Sequence, residues 1–278
     1  MFLTQRGAKW MDGTRHQREP MDTLTDTPIA RPDLIEGMVR GMAVLESFDT
    51  ERQRLNATLA GERAGIPRAA ARRHLLTLAH LGYLETDGSF FWLSPKVLRF
   101  SGSYLASARL PRALQPTLNR LAAQTGESFS ATILDRDEVV IVARSGPTRV
   151  LAYGVHLGAR LPAHATSTGR VLLAGLSRAR LAAWLQGREL ARLTQHTTTD
   201  MKSFRSLLDQ VRKQDFCEAS QTHELGVHAI AVPLRDLRGR TLAALNVVVG
   251  PQRAQGGALQ RDLLPVLQEA ARELRPLL

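Results

Sequence analysis

Cys217 is the only cysteine in 278 residues, so no disulfide forms within the chain, as expected of a protein of the reducing cytoplasm. No apolar run approaches the ~18 residues that a membrane span needs. The first thirty residues, MFLTQRGAKWMDGTRHQREPMDTLTDTPIA, lack the continuous apolar core of a secretory signal, so no membrane or export route is expected. Lysine is scarce. Lys9, Lys96, Lys202 and Lys213 leave 33 arginines among 37 basic residues, a skew that genomic base composition can produce by itself. The motifs of common enzyme classes are missing too: there is no G-x-S-x-G elbow, G-x-G-x-x-G loop, P-loop or H-E-x-x-H. His164 and Ser167 sit three apart at a helix start, where capping explains the serine better than catalysis does. His196, His223 and His228 have neither a thiolate partner nor the tight spacing of a metal site. No enzyme activity, cofactor or metal is expected.

What is present is positive charge. The formal net charge is +11, which favours a polyanionic partner. Residues 1–100 hold 14 basic and 12 acidic residues, a net of +2, and residues 101–278 hold 23 and 14, a net of +9. The bulk of the surplus is therefore C-terminal, but the sharpest local concentration is not. From Arg63 to Leu84 the chain carries Arg63, Arg68, Arg72, Arg73, His74 and His80 and no acid at all.

Hydrophobic spacing divides the chain. Residues 1–33 are polar and aperiodic and read as a disordered tail. Met38, Met42, Val44, Leu45 and Phe48 predict a helix over 35–48, followed by a polar break at 49–53. A second helix is expected at 58–64, with Asn56 or Ala57 near its cap and Gly65 as its left-handed stop. Pro67, in a first turn, opens a third helix that runs to Gly82. Helix, glycine turn and helix make a helix-turn-helix. Asp87-Gly88 between Tyr83–Thr86 and Ser89–Leu93 signals a hairpin, which completes a winged form over residues 34–94. Residues 95–112 read as a linker helix interrupted at Pro111, and 113–278 as a second domain. That domain begins with a helix to about Gln124. It continues with a hairpin of Phe129–Leu134 and Val139–Ala143 and a strand over 150–155. Helices at 167–173, 178–185 and 200–214 follow, then strands at 216–220, 227–234 and 242–249 and a closing helix over 259–274. Helices around antiparallel hairpins imply an α+β fold.

Three stretches carry a family resemblance: Ala70-Ala71-Arg72-Arg73-His74-Leu75-Leu76-Thr77-Leu78 with Leu81-Gly82-Tyr83-Leu84; Leu161-Pro162-Ala163-His164-Ala165-Thr166-Ser167-Thr168-Gly169-Arg170-Val171-Leu172-Leu173-Ala174; and Ile230-Ala231-Val232-Pro233-Leu234-Arg235-Asp236 with Ala243-Ala244-Leu245-Asn246-Val247. Over residues 36–278 the chain resembles the IclR-type bacterial transcriptional regulators, most of all the subgroup governing aromatic-acid breakdown through protocatechuate and β-ketoadipate. It departs from the subgroup at His74, and at His223 and His228, which interrupt a glutamate- and arginine-containing pattern before Ile230. The resemblance implies a winged helix-turn-helix that binds double-stranded DNA, a C-terminal GAF-like effector-binding domain, and a homodimer or dimer of dimers. It also implies pocket residues Ser167, Thr168, Ala229 and Asn246, to which Tyr153, His164 and Glu224 are added.

On the DNA side, the first turns of the third helix bring Arg68, Ala69 and Arg72 to base edges, with Ala71 as a second thymine-methyl contact. Arg73 lies about 100° around the helix from Arg72 and so takes a phosphate or an internal acid such as Glu62. Thr77, Arg52, Arg54 and Lys96 are candidate phosphate contacts; Asp87 makes the wing tip a poor groove binder. On the effector side, free N–H groups where Thr166, Ser167 and Thr168 precede a helix suit a carboxylate. Arg144, Arg149, Arg160 and Arg170 are candidate cations, and spacing does not say which of them faces inward. Ala244, Asn246 and Val248 are expected on one sheet face. The function expected is a DNA-binding regulator responding to a small carboxylic acid. The alternative is a ligand-sensing or interaction module without specific DNA binding.

Overall fold

The computed structural model describes residues 30, 33–49, 52–146 and 156–278; the strand expected over 150–155 and nearly all of the expected tail lie outside them. The chain forms two compact units, one ending at Leu93 and the other beginning at Ser94.

In the first unit α1 (Glu36–Leu45), α2 (Ala57–Ala64) and α3 (Arg68–His80) precede a hairpin of β1 (Leu84–Thr86) and β2 (Phe91–Leu93). The Asn56 side chain caps α2 by accepting from the N–H groups of Thr58 and Leu59, and Gly65 ends it at φ 67°, ψ 30°, where only glycine sits without strain. Pro67 lies one position further out than expected. It is the N-cap of α3, and its carbonyl accepts from Ala71 N–H at 3.0 Å. The core is Val44, Phe48, Leu55, Ala60, Ala71, Leu75, Leu84 and Phe91. Leu55 and Phe91 exchange backbone hydrogen bonds of 3.0 and 2.8 Å, which ties the start of α2 to the wing. The hairpin turn is longer than a two-residue Asp-Gly turn. It runs from Asp87 to Phe90, with the Asp87 carboxylate accepting from Ser89 and Phe90 N–H at 3.0 and 2.8 Å.

The second unit opens with a single 3-10 turn (Pro95–Val97), α4 (Leu98–Ser107) and α5 (Arg109–Thr125). The break between the helices falls at extended Ala108 (ψ 124°), not at Pro111, which sits buried in the first turn of α5 where no intrahelical N–H bond is lost. Then come β3 (Ser128–Asp135), β4 (Glu138–Ser145), a short β5 (Arg160–Pro162), α6 (Ser167–Ala174), α7 (Arg178–Leu185), α8 (Met201–Gln214), β6 (Cys217–Ser220), β7 (His228–Arg235), β8 (Thr241–Val249) and α9 (Leu264–Leu274), whose first turn is a π-turn over Leu259–Leu263. The sheet is antiparallel, in the order β5-β4-β3-β8-β7-β6. Its two edges are its shortest strands, which limits unpaired backbone.

The layers follow from alternation. Phe129, Ala131, Ile230, Val232, Leu234, Ala243, Leu245 and Val247 point to one face, sealed by Leu114, Leu118 and Leu121 of α5 and Leu267, Ala270 and Leu274 of α9. Their neighbours point the other way, so Ala244, Asn246 and Val248 do share a face. Part of that face packs on α6 and on Phe204, Leu208 and Val211 of α8. α6 comes in very close to the 3-10 turn Ala163–Ala165: a Cβ on Gly169 would stand 2.1 Å from the Ala163 carbonyl oxygen. Because backbone opposes backbone there, we expect Gly169→Ala to cost about 1–3 kcal/mol, the usual range for overpacking. Thermal or urea unfolding should show it, while Gly102→Ala, in open space inside α4, should leave the midpoint in place or raise it, because alanine favours the helix by up to about 1 kcal/mol.

Candidate functional site

Two places concentrate chemistry. The first is the outer face of α3. Ala71 and Leu75 are buried, which fixes the orientation of the helix and leaves Arg68, Ala69, Arg72, Arg73, Leu76 and Thr77 exposed. The expected contact of Ala71 with DNA is thereby corrected: its methyl is 0% exposed in the core. Arg68, Arg72 and Arg73 project from a helix with no acid in it. The Thr77 hydroxyl donates to the Arg73 carbonyl at 2.8 Å, so it must turn to meet another acceptor. Arg54 is held on the wing. It pairs with Asp87 at 2.5 Å and stacks 4.5 Å from the Trp92 ring centre and 5.9 Å from that of Phe90. Backbone N–H groups of Phe90 and Ser89 hold the Asp87 carboxyl below its ordinary range, with Arg54 contributing. The wing-tip acid is thus occupied within its own unit. Arg52 is exposed beside Asp49, and Lys96 lies in the other unit on the 3-10 turn after Ser94.

The second place lies where α6 begins. The capping there is done by Thr166, whose hydroxyl accepts from Gly169 N–H at 3.1 Å. Ser167 and Thr168 are not needed for it, yet both are 2% exposed, and Ser167 Oγ has no hydrogen-bond partner. Beneath them the sheet face is made of small and polar side chains. Asn246 stands opposite Ser130 on β3, and Ala244 opposite Thr132, while Ala229 is paired with Val248. Thr132 Oγ1 and Asn246 Oδ1 are also buried without a partner. Unmet buried polar atoms are costly and rare, so three of them on α6 and the sheet it packs on call for an explanation. Ser130 and Thr132 are not among the residues that the sequence singles out. A signal for them exists: Ser128-Phe129-Ser130-Ala131-Thr132 alternates polar and apolar at strand period, and the polar face turns inward.

The four candidate cations now separate. Arg160 is held at the surface by Glu138 and Asp135, each at 2.6 Å. Arg149 and Tyr153 lie outside the described residues. Arg144 stands opposite Ser130 and so points to the same face; burial alone pulls its guanidinium below the ordinary value, and among the described residues no acid pairs with it. Arg170 is 2% exposed, and its Nε donates to the His164 carbonyl at 2.9 Å. His164 Nε2 lies 2.9 Å from the Ala191 carbonyl oxygen and therefore carries the proton. Thr222, on the loop between β6 and β7, donates to the Ala165 carbonyl at 2.6 Å and brings His223 close to His164. Glu224 is exposed on that loop beside His223. Among the described residues no group of His, Cys, Asp and Glu is arranged to hold a metal ion, and no helix is long and apolar enough to cross a membrane.

A winged helix-turn-helix joined in one chain to an α+β domain with an internal polar site defines a ligand-responsive DNA-binding regulator. Family comparison agrees: residues 38–88 match the IclR helix-turn-helix domain and residues 102–275 the C-terminal domain of the bacterial IclR transcriptional regulators. The chain belongs to the IclR family, whose members are transcriptional regulators rather than enzymes. It is 50% identical over 254 residues to the Pca operon regulatory protein of Acinetobacter baylyi, covering 90% of this chain and 91% of that one. It is 51% identical to the p-hydroxybenzoate hydroxylase transcriptional activator of the same organism, covering 90% and 94%. A solved IclR homologue from Microbacterium hydrocarbonoxydans, complexed with 4-hydroxybenzoate, superposes with a TM-score of 0.69 at 26% identity over 86% of this chain and 97% of that one. The aromatic-acid subgroup is thus the right one.

The histidines at the site predict a pH dependence. Burial, the largest cause, holds both His164 and His223 below the ordinary imidazole range. On acidification below about pH 6.5 the unfolded chain binds protons at these positions before the folded one does. Their contribution to stability is therefore complete above that value and is lost as pH falls below it. The unfolding midpoint should drop between pH 7 and about pH 5.5, above the carboxylate range. His164→Gln should flatten that slope; an unchanged slope would show that His164 does not titrate differently on folding.

Proposed function

We propose that the protein binds operator DNA sequence-specifically through α3 and responds to a hydroxybenzoate-type aromatic carboxylic acid held between the start of α6 and the sheet. The observation that carries the reading is the group of buried, unpartnered polar atoms on Ser167, Thr132 and Asn246, on the sheet face shared by the partly desolvated Arg144, which has no acid partner among the described residues. Arg144 pairs with the effector carboxylate, Ser167, Thr168 and Asn246 orient it, and Ala229 keeps the floor low. His164 and Glu224 complete the pocket rim, and Tyr153, outside the described residues, is kept as a further effector contact. The p-hydroxybenzoate activator and the 4-hydroxybenzoate complex among its relatives support this ligand class.

On DNA, Arg68, Ala69 and Arg72 meet base edges, while Arg73, Thr77, Arg52, Arg54 and Lys96 serve phosphates. The protein works in the cytoplasm as a homodimer, alone or as a dimer of dimers, and performs no chemistry on its ligand. Exposed apolar side chains support self-association: Ile35 at the N-cap of α1 with Met38 and Met42 at helical spacing along it, and Leu98, Phe100 and Tyr104 on α4. The linker over 95–112 passes effector binding to the recognition helices, with a coupling of about 1–3 kcal/mol.

Gel-shift titration tests the DNA half. Arg72→Ala with Arg73→Ala should abolish discrimination for the native upstream DNA and lower the salt slope by roughly one for each phosphate left without its arginine. Intact specific binding would leave the alternative, a sensing or interaction module. Thermal shift tests the effector half. A selective aromatic acid should raise the midpoint by mass action, and Arg144→Gln should weaken its binding by about 1.5–3 kcal/mol, the value of a hydrogen bond to a charged group.

A further inference from the structure

The connection between α7 and α8, residues 186–200, is a strap of fifteen residues with no helix or strand of its own. A connection of that length inside a compact domain ordinarily has a task. Its middle is folded around one hydroxyl. Thr197 is 4% exposed, and its Oγ1 accepts from Thr194 and Leu193 N–H at 2.8 and 3.1 Å. The same hydroxyl donates to the Thr222 carbonyl at 2.7 Å. The Thr194 hydroxyl accepts from His196 N–H at 3.0 Å and donates to the Gln221 carbonyl at 2.6 Å. Two successive carbonyls of the loop between β6 and β7 are thus held by two threonines of the strap.

These bonds close into a circuit. Thr222, whose carbonyl Thr197 holds, donates its own hydroxyl to the Ala165 carbonyl at 2.6 Å. His164, next to Ala165, returns to the strap by donating from Nε2 to the Ala191 carbonyl at 2.9 Å. Strap, loop and the turn before α6 are far apart in sequence, yet each is tied to both of the others by a side chain. The loop is also stiff. Gln221 holds a left-handed conformation at φ 57°, which persists only where the surroundings fix it, and its side-chain oxygen accepts from Gly226 N–H at 3.1 Å. His223 and Glu224 ride on this loop and His164 on the turn, so the rim hangs from the strap on both sides.

We propose that Thr197 is a positioning residue of the effector site, acting through the loop rather than on the ligand. By holding the Thr222 carbonyl it keeps His223 and Glu224 down on the turn that opens α6. The rim then moves as one body, and an effector leaves when the circuit opens. What the rim encloses rests on the reading above, that an aromatic acid lies between the start of α6 and the sheet; the circuit itself does not depend on it. Its effect falls on release more than on capture, as most changes within one binding site do.

Two measurements on the full chain test this. The first needs no ligand: hydrogen exchange, read by mass spectrometry, over residues 163–170 and 221–227. Thr197→Val keeps the branched shape and removes the hydroxyl, and should speed exchange in both segments about five- to tenfold, the loss of roughly one net hydrogen bond. Thr197→Ser, which keeps the hydroxyl, should exchange like the wild type. The second is the dissociation rate of 4-hydroxybenzoate by stopped flow. It should rise about five- to tenfold in Thr197→Val with the association rate little changed, and return to the wild-type value in Thr197→Ser. If Thr197→Val fails to fold, Thr194→Ala, which frees the Gln221 carbonyl from a half-buried position, carries both measurements. Faster exchange confined to 191–199 overturns the proposal, as does an unchanged dissociation rate beside faster exchange in the rim. If 4-hydroxybenzoate does not bind the wild type, the ligand reading falls, and the exchange experiment still decides the circuit.

Discussion

The second domain depends on one constraint, the strict alternation of side chains along β3, β7 and β8. Phe129, Leu245 and Val247 must be covered, and α5 and α9 cover them. With that face sealed, the opposite one is relieved of the hydrophobic work and is free to carry Ser130, Thr132 and Asn246. A one-residue slip in any of these strands would exchange the faces, bury the polar set against α5 and α9, and turn the apolar set toward α6. Core and site are thus two sides of the same register, and neither can be altered without the other.

Above that sheet the position of α6 is set by the near contact of backbones at Gly169 and Ala163. The hydrogen bonds from Thr222 and Arg170 to the carbonyls of Ala165 and His164 hold the same turn from two further directions. Polar atoms of Ser167, Thr132 and Asn246 are held in place although nothing satisfies them, because packing elsewhere fixes the elements that carry them. Preorganisation of this kind means that a ligand does not have to order its own site.

Much of this is legible in the sequence. The three-helix unit with its wing can be read from Gly65, Pro67, Gly82 and Asp87-Gly88, because glycine and proline restrict the backbone locally. Ser167, Thr168 and Asn246 follow from the family resemblance, and the fold brings them to one place. Three things are less accessible. Ala71 reads as a DNA contact because composition does not say how a helix is rotated; burial of Leu75 does. The polar face of β3 escapes a reading that attends only to the apolar half of its alternation. Nor does spacing connect Arg144 with Ser130 and Asn246: they share a row only through the pairing of β4, β3 and β8, and that pairing also separates Arg144 from Arg160, whose charge is spent on Glu138 and Asp135.

Cys217 has a chemical consequence of its own. Closed under Arg170 at the edge strand and 2% exposed, its thiol is pushed up to about 11, so it stays protonated at any pH the cell reaches. Oxidants and electrophiles react with the thiolate, and here they meet neither a thiolate nor an open path. Cys217 is therefore a poor target for peroxide and for electrophiles, and the only cysteine of the chain serves packing rather than redox chemistry.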